Sequence, residues 1–282
     1  MSPHPTSPYP LVVFTDLDDS LFQTREKTLA RHTAGVMVPA ADDRQGLALS
    51  FHAHDQLALL HLLQAAVLIP VTGRNHQALR RVRQPSFSDY RITSHGSMIY
   101  QDHDRPLPDW HARVRQRAER VIGAMQEMVA RLPIRLGHPS GLRARVIEDA
   151  EVPVYVSLKW DDAAAVPAVS DLRQAVGEVL REAAGAEGLK ASWRIHQNGR
   201  NAAILPDYAS KAEAVRYVMD IKRRLHPRTT FVGVGDSASD TEFLQLCHFA
   251  LVPSHSQIQS EWSRAQGLLD AELPPGATGP RY

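Results

Sequence analysis

Four short apolar runs punctuate this chain, and each delivers charged or hydroxyl residues at its end. Leu11-Val12-Val13-Phe14 leads into Asp16, Asp18 and Ser20, and Ala66-Val67-Leu68-Ile69-Pro70-Val71 leads into Thr72-Gly73-Arg74-Asn75. Ala202-Ala203-Ile204-Leu205-Pro206 precedes Ser210-Lys211, and Thr230-Phe231-Val232-Gly233-Val234 precedes Gly235-Asp236 and Asp240. A short unbroken apolar run bounded by turn residues reads as a strand buried on both faces, the pattern of a parallel sheet. After Lys211, apolar residues at Ala214, Val215 and Val218 fall at helical spacing. The pattern predicts an α/β core, whose ligands bind beyond the carboxyl ends of the strands.

The runs are unevenly spaced. Thr72 and Lys211 lie 139 residues apart, against 56 from Asp16 to Thr72 and 25 from Lys211 to Asp236. A structureless loop of that length does not suit a compact protein, so a folded insertion is expected. Within it, Val114, Ala118, Val121, Ile122, Met125, Met128 and Val129 give one apolar face to a helix over 110–132. β-rich runs follow at 143–147, 152–158 and 191–195, and a second amphipathic helix is predicted over 169–184. Helices and strands in this order make an α+β layer. The predicted division is a discontinuous core at 11–86 and 200–270 and an insertion at 87–199. Flexible ends are expected at 1–10 and 271–282.

Asp16 and Asp18 stand two apart at a strand end, so their carboxylates point the same way and repel unless a cation or a shared proton separates them. A hard divalent ion with oxygen ligands, Mg²⁺ above others, meets that need. The plainer reading of the same pair is a capped turn. Thr72 offers a hydroxyl, Gly73 lets backbone amides approach an anion, and the helix start beyond them favours negative charge, although an ordinary helix cap reads identically. Lys211 is a compact cation at the end of a helix whose dipole disfavours it, which points towards function over a solvated surface residue. Asp236 and Asp240 are four apart, near one face of a helix start.

In order, VVFTDLDDS, LIPVTGR, SK and FVGVGDSASD resemble the four motifs of haloacid dehalogenase superfamily phosphatases: hhhhDxDx(T/S), hhhh(S/T), Lys and hhhhGDxxxD. An insertion after the second motif resembles the Cof-like, class IIB branch. FTDLDDS, VTGRN, ITSHGSMIY at 92–100, ILPDYASK at 204–211 and GDSASD lean towards its sucrose-phosphate and mannosyl-3-phosphoglycerate phosphatase group.

The resemblance implies a Rossmann-like parallel-sheet core with an inserted α+β cap domain. Asp16 would be the nucleophile, forming an aspartyl-phosphate, and Asp18 the general acid and then base. Mg²⁺ would be held at Asp16, Asp18 (through its backbone carbonyl) and Asp236, with Asp240 in the metal site or orienting its loop. Thr72 and Lys211 would bind the transferring oxygens, with Gly73 and Arg74 beside them. Cap residues should choose the leaving group, and His95, Lys159, Arg194 and His196 are expected there. The implied substrate is a small phosphorylated metabolite, a sugar phosphate for preference. A phosphohexomutase on the same fold is the alternative, and a non-catalytic binding subunit is disfavoured because every motif position is chemically competent. Two positions depart from the pattern. Ser20 replaces the commoner threonine, and Asp19, where many members have glycine, should face solvent or cap the next turn.

A length of 282 residues suits a core plus a cap, and an apolar content of 43% supplies the interior. The balance of 32 basic and 31 acidic residues, a net charge of +1, demands neither nucleic acid nor membrane as partner. The arginine runs at 80–83 and 113–120 read as solvated helix faces. Cys247, the single cysteine, excludes an intramolecular disulfide and a cysteine metal cluster, as befits a reducing cytosol. No apolar run reaches membrane-spanning length and residues 1–10 lack a signal-peptide core, so a cytoplasmic location is expected.

Overall fold

The computed structural model describes residues 10–31, 37–102, 104–137, 140–184 and 192–272. The ends expected to be flexible lie outside the described residues, apart from residues 10, 271 and 272.

Three of the four apolar runs build one parallel sheet, in the order Phe249–Leu251, Thr230–Val234, Leu11–Thr15, Val67–Pro70. Leu11–Thr15 is flanked on both sides, by Thr230–Val234 and by Val67–Pro70. Its side chains alternate between two apolar layers, which is why the run is continuously hydrophobic. Val12 and Phe14 join the cluster that holds Ala214, Val215 and Val218 of helix Lys211–Leu225, while Val13 packs with Leu63 and Val234 on the opposite face. Phe14 stacks on Phe231 with centroids 5.9 Å apart. Burying a side chain of this size contributes about 2–3 kcal/mol.

The fourth run lies elsewhere. Asn201–Pro206, expected in the core, pairs antiparallel with Trp193–Asn198 and with Val152–Trp160, in a sheet completed by Leu142–Asp149. The cause is local. Gly199, with φ of 54°, opens a two-residue hairpin loop between Asn198 and Asn201, and such loops need a positive φ at their first position. The boundary expected at 199/200 therefore falls inside a hairpin.

At the other boundary, Arg91–Thr93 begins a small sheet with Met98–Gln101 and Arg105–Pro106. It attaches to the edge of the parallel sheet through a parallel bridge between Val71 and Ile92. Residues 91–93, expected in the insertion, thus extend the core.

The helix expected over 110–132 is two helices, Pro108–Ala118 and Ile122–Arg135. The break falls at 119–121, and Val121 stays buried so the apolar stripe crosses it intact. Helix Val169–Ala184 matches its predicted span and packs on Ile122–Arg135. A further small sheet, Gln23–Thr24, Ala48–His52 and Val38–Asp42, is not announced by the apolar pattern. Among the described residues, no helix is long and apolar enough to cross a membrane.

Candidate active site

Asp16 follows strand Leu11–Thr15 directly, and its amide donates to the Val234 carbonyl of the neighbouring strand at 2.8 Å. This bond fixes the buried Asp16 beside the turn that opens at Gly235-Asp236. Helix Lys211–Leu225 starts opposite, capped by Ser210, whose hydroxyl accepts from the Glu213 amide. Lys211, 8% exposed, donates to Asp16 Oδ1 at 2.8 Å and to Asp240 Oδ1 at 2.6 Å. A lysine at the unfavourable end of a helix dipole is thus held by two buried carboxylates.

Asp240 is fully buried, and its second oxygen accepts from the Asp236 amide at 3.2 Å, the Ser237 amide at 3.0 Å and the Ser237 hydroxyl at 2.8 Å. Gly235 is required here, because a Cβ would lie 2.7 Å from Asp240 Cβ. Asp236 receives the Ser20 hydroxyl at 3.3 Å. Asp19 has φ of 67°, the left-handed region that glycine favours and aspartate tolerates, and pairs with Lys27 at 2.6 Å.

These contacts set the charge states. Burial pushes the Asp16 carboxyl well above its ordinary range; Lys211 pulls it back, and Asp240 and Asp236 push it up again. Burial, Asp240 and Asp19 raise Asp236 to about 7. For Asp240, burial is outweighed by Lys211 and Ser237, and it titrates low. Lys211 titrates higher than a free lysine, its burial outweighed by Asp16 and Asp240.

The loop after Val67–Pro70 forms the facing wall. Thr72 is buried, its amide donating to the Ile92 carbonyl at 3.0 Å and its hydroxyl accepting from the Arg74 amide at 3.1 Å. Arg74 clasps Asp18 with two bonds of 2.7 Å, and its guanidinium lies over Phe22. Gly73 has no room for a side chain, since a Cβ would stand 2.6 Å from the His95 ring. His95 meets Tyr155 edge-on at 5.2 Å and lies 5.7 Å from His196. Burial first, then Lys211 and the neighbouring His196 and Arg194, depress the basicity of His95, which stays neutral. Burial and Lys211 likewise lower His196.

A cleft of about 700 Å³ between the parallel-sheet loops and the antiparallel sheet gathers Asp16, Asp18, Thr72, Gly73, Arg74 and Lys211. It also holds His95, Lys159, His196 and Asp236. Arg194 is not among its walls. It lines an adjoining cavity of about 470 Å³, tied to the Ala209 carbonyl at 2.6 Å and to Glu242 at 3.4 Å.

Solved structures resemble this arrangement at the level of the backbone. The sucrose-phosphatase of Synechocystis sp. PCC6803, in complex with sucrose and phosphate, is 18% identical, covers 92% of this chain and 89% of its own, and has a TM-score of 0.50. A protein of Thermoplasma acidophilum is 13% identical over 90% of this chain and 89% of its own, also with a TM-score of 0.50. The fold is the haloacid dehalogenase fold. No family model matches the sequence, and no curated protein is similar to it in sequence.

In proteins of the haloacid dehalogenase fold, a metal ion is implied where the strand ends converge, and the residues here fit one. Oxygens of Asp16, Asp236 and Asp240 lie within 4.8 Å of one another. Asp16 and Asp236, both held above the carboxylate range by burial and by like charge, are the pair a cation would relieve. Asp240 is already committed to Lys211 and Ser237 and orients the loop. The Asp18 side chain is turned to Arg74 and stands outside this cluster, a bidentate arginine offering a carboxylate more than a crowded anionic corner does, whereas the metal contact expected of Asp18 is through its backbone carbonyl.

The apolar pattern did not single out Ser237 and Tyr155. Ser237 followed a recognised aspartate, and hydroxyls beside such a residue are the signal that finds it. Tyr155 sat in an alternating strand, where nothing marked its hydroxyl as reaching the Gly73 carbonyl at 3.4 Å.

Proposed function

We propose that this protein is a Mg²⁺-dependent phosphomonoester hydrolase of the cytoplasm, acting on a small sugar phosphate through an aspartyl-phosphate on Asp16. The observation that carries the reading is the bridge from Lys211 to Asp16 at the mouth of a cleft that also holds Thr72 and Asp18. An ion at Asp16 and Asp236 would supply positive charge between the nucleophile and the phosphoryl oxygens.

Lys211 offsets part of the cost of ionising the buried Asp16 and aims one of its oxygens, leaving the other to attack phosphorus. The bond from Asp16 to phosphorus forms as the bond to the leaving oxygen breaks. Asp18 gives that oxygen a proton, then takes one from the water that cleaves the aspartyl-phosphate. Arg74 holds both Asp18 oxygens, so this role requires Arg74 to exchange Asp18 for the substrate's phosphoryl oxygens. Thr72 and Lys211 hold the other transferring oxygens.

Tyr155, Ser157, Asn198 and Asn201 of the antiparallel sheet also line the cleft, and such hydrogen-bonding side chains suit a hydroxyl-rich leaving group. The similar Synechocystis protein, in complex with sucrose and phosphate, supports the same class. The antiparallel sheet and its helices serve as the cap that chooses the leaving group, with His95, Lys159 and His196 at the cleft.

The test is phosphate release from a panel of sugar phosphates that includes sucrose 6-phosphate, with Mg²⁺ and with chelator. Mg²⁺-dependent release that is lost in Asp16→Asn is expected. Release from no panel member, or release undiminished in Asp16→Asn, overturns the reading.

A further inference from the structure

The segment 92–100 carries a carboxylate contact that catalysis leaves unused. Asp149, 5% exposed at the end of strand Leu142–Asp149, accepts four hydrogen bonds. Oδ2 takes the Ser94 hydroxyl at 2.6 Å, the Thr93 hydroxyl at 2.7 Å and the His76 amide at 3.2 Å, and Oδ1 takes the Tyr100 hydroxyl at 2.6 Å. Every donor comes from 76–100, and none from the sheet to which Asp149 belongs. A buried carboxylate is costly unless its lone pairs are filled, and here neutral donors fill them.

Those donors surround an unusual turn. Ser94, His95 and Gly96 have φ of 51°, 56° and 91°, three left-handed residues in succession, two of them not glycine. Such a backbone persists only where its surroundings over-determine it. On one side the Ser94 amide donates to the Arg74 carbonyl at 2.8 Å and the His95 amide to the Thr72 carbonyl at 3.0 Å. On the other side Gly96 lies against the Ser210 and Lys211 backbone, so closely that a Cβ would come within 2.2 Å of the Ser210 carbonyl oxygen. The turn is wedged between the loop that carries Thr72 and Arg74 and the start of the helix that carries Lys211.

We propose that Asp149 is a positioning residue. Its four hydrogen bonds hold the Ser94–Gly96 turn in its left-handed form and fasten the Thr72 loop and the Lys211 helix start to the end of the antiparallel sheet. The sheet that covers the cleft thereby sets the spacing of the groups that hold the phosphoryl oxygens. A displacement of about 1 Å at such groups costs about a hundredfold in rate. The inference rests on the phosphatase reading for its rate effect and on the structure alone for its effect on the loop.

The experiment compares the wild-type protein with Asp149→Asn, whose amide would turn two N–H groups towards donors. Hydrogen exchange at the amides of Thr72, Arg74, Ser94 and His95 should quicken at least tenfold. On a sugar phosphate that the wild type hydrolyses, kcat should fall at least tenfold while KM changes less than threefold. Val179→Ala, a cavity in the fully buried face of the cap helix, serves as the control for lost stability alone. Should Asp149→Asn not fold, Tyr100→Phe removes a single donor and is read the same way, with smaller changes. Unchanged exchange at the four amides overturns the role of Asp149. So does a loss of kcat that merely follows Tm, as in the control. Quickened exchange in a protein that hydrolyses no phosphomonoester leaves the fastening in place and overturns the phosphatase reading.

Discussion

Replacing Lys211 with methionine removes the ammonium that bridges Asp16 at 2.8 Å and Asp240 at 2.6 Å and fills nearly the same volume with an apolar chain. Both carboxylates are buried, so each loses its counter-charge where water cannot replace it. Removing one partner from a buried pair costs about 3–5 kcal/mol, a large part of the roughly 5–15 kcal/mol that holds a domain folded. The cost should depend on pH. Asp16 already titrates above its unfolded value, so its contribution to folding is complete at low pH and is lost as pH rises through the folded pKa. Without Lys211 that pKa moves higher still, and the loss extends over a wider range. The ammonium itself stays charged throughout, since Lys211 titrates above the value of a free lysine. In chelator, the variant should lose about 3–5 kcal/mol at pH 8, and about 1–2 kcal/mol at pH 5, where Asp16 can carry a proton. Urea unfolding of wild type and variant at the two pH values measures both differences. Equal losses at pH 5 and pH 8, or a loss below 1 kcal/mol at pH 8, would refute the assignment of Lys211 as the counter-ion of Asp16.

Two further outcomes follow from the same geometry. Asp236 is raised to about 7 by burial and by its acidic neighbours, so the Tm of the chelated protein should fall between pH 5 and pH 8. Mg²⁺ should restore more of it at pH 8 than at pH 5, and a Tm that rises with pH in chelator would contradict the cause given. Gly96→Ala forces a Cβ to within 2.2 Å of the Ser210 carbonyl at a φ of 91°, and urea unfolding should show a loss of about 3 kcal/mol, whereas a loss under 1 kcal/mol would mean the turn relaxes freely.

What the sequence by itself determined was which polar groups stand at the strand ends. Asp16, Thr72 and Asp236 are legible because a buried parallel strand needs an unbroken apolar run, and polar residues at its end have only one place to go. Lys211 was legible for a different reason, standing where a helix dipole disfavours it. The insertion was legible from spacing, and helix Val169–Ala184 from its periodicity, both being local properties. The tertiary structure decided what depends on partners distant in sequence. Asn201–Pro206 had the composition of a core strand, and hairpin pairing across Gly199 carried it into the other sheet. The Asp18 carboxylate reads as sharing a cation with Asp16 until a bidentate arginine 56 residues away claims it. Arg194 and His196 are two apart on one strand, yet only His196 reaches the main cleft. Asp149 carried no signal at all, because a lone aspartate at a strand end acquires meaning only from the four donors that folding brings to it. Periodicity encodes which face of an element is buried, and the assembly of the elements chooses the neighbours that each buried polar group will find.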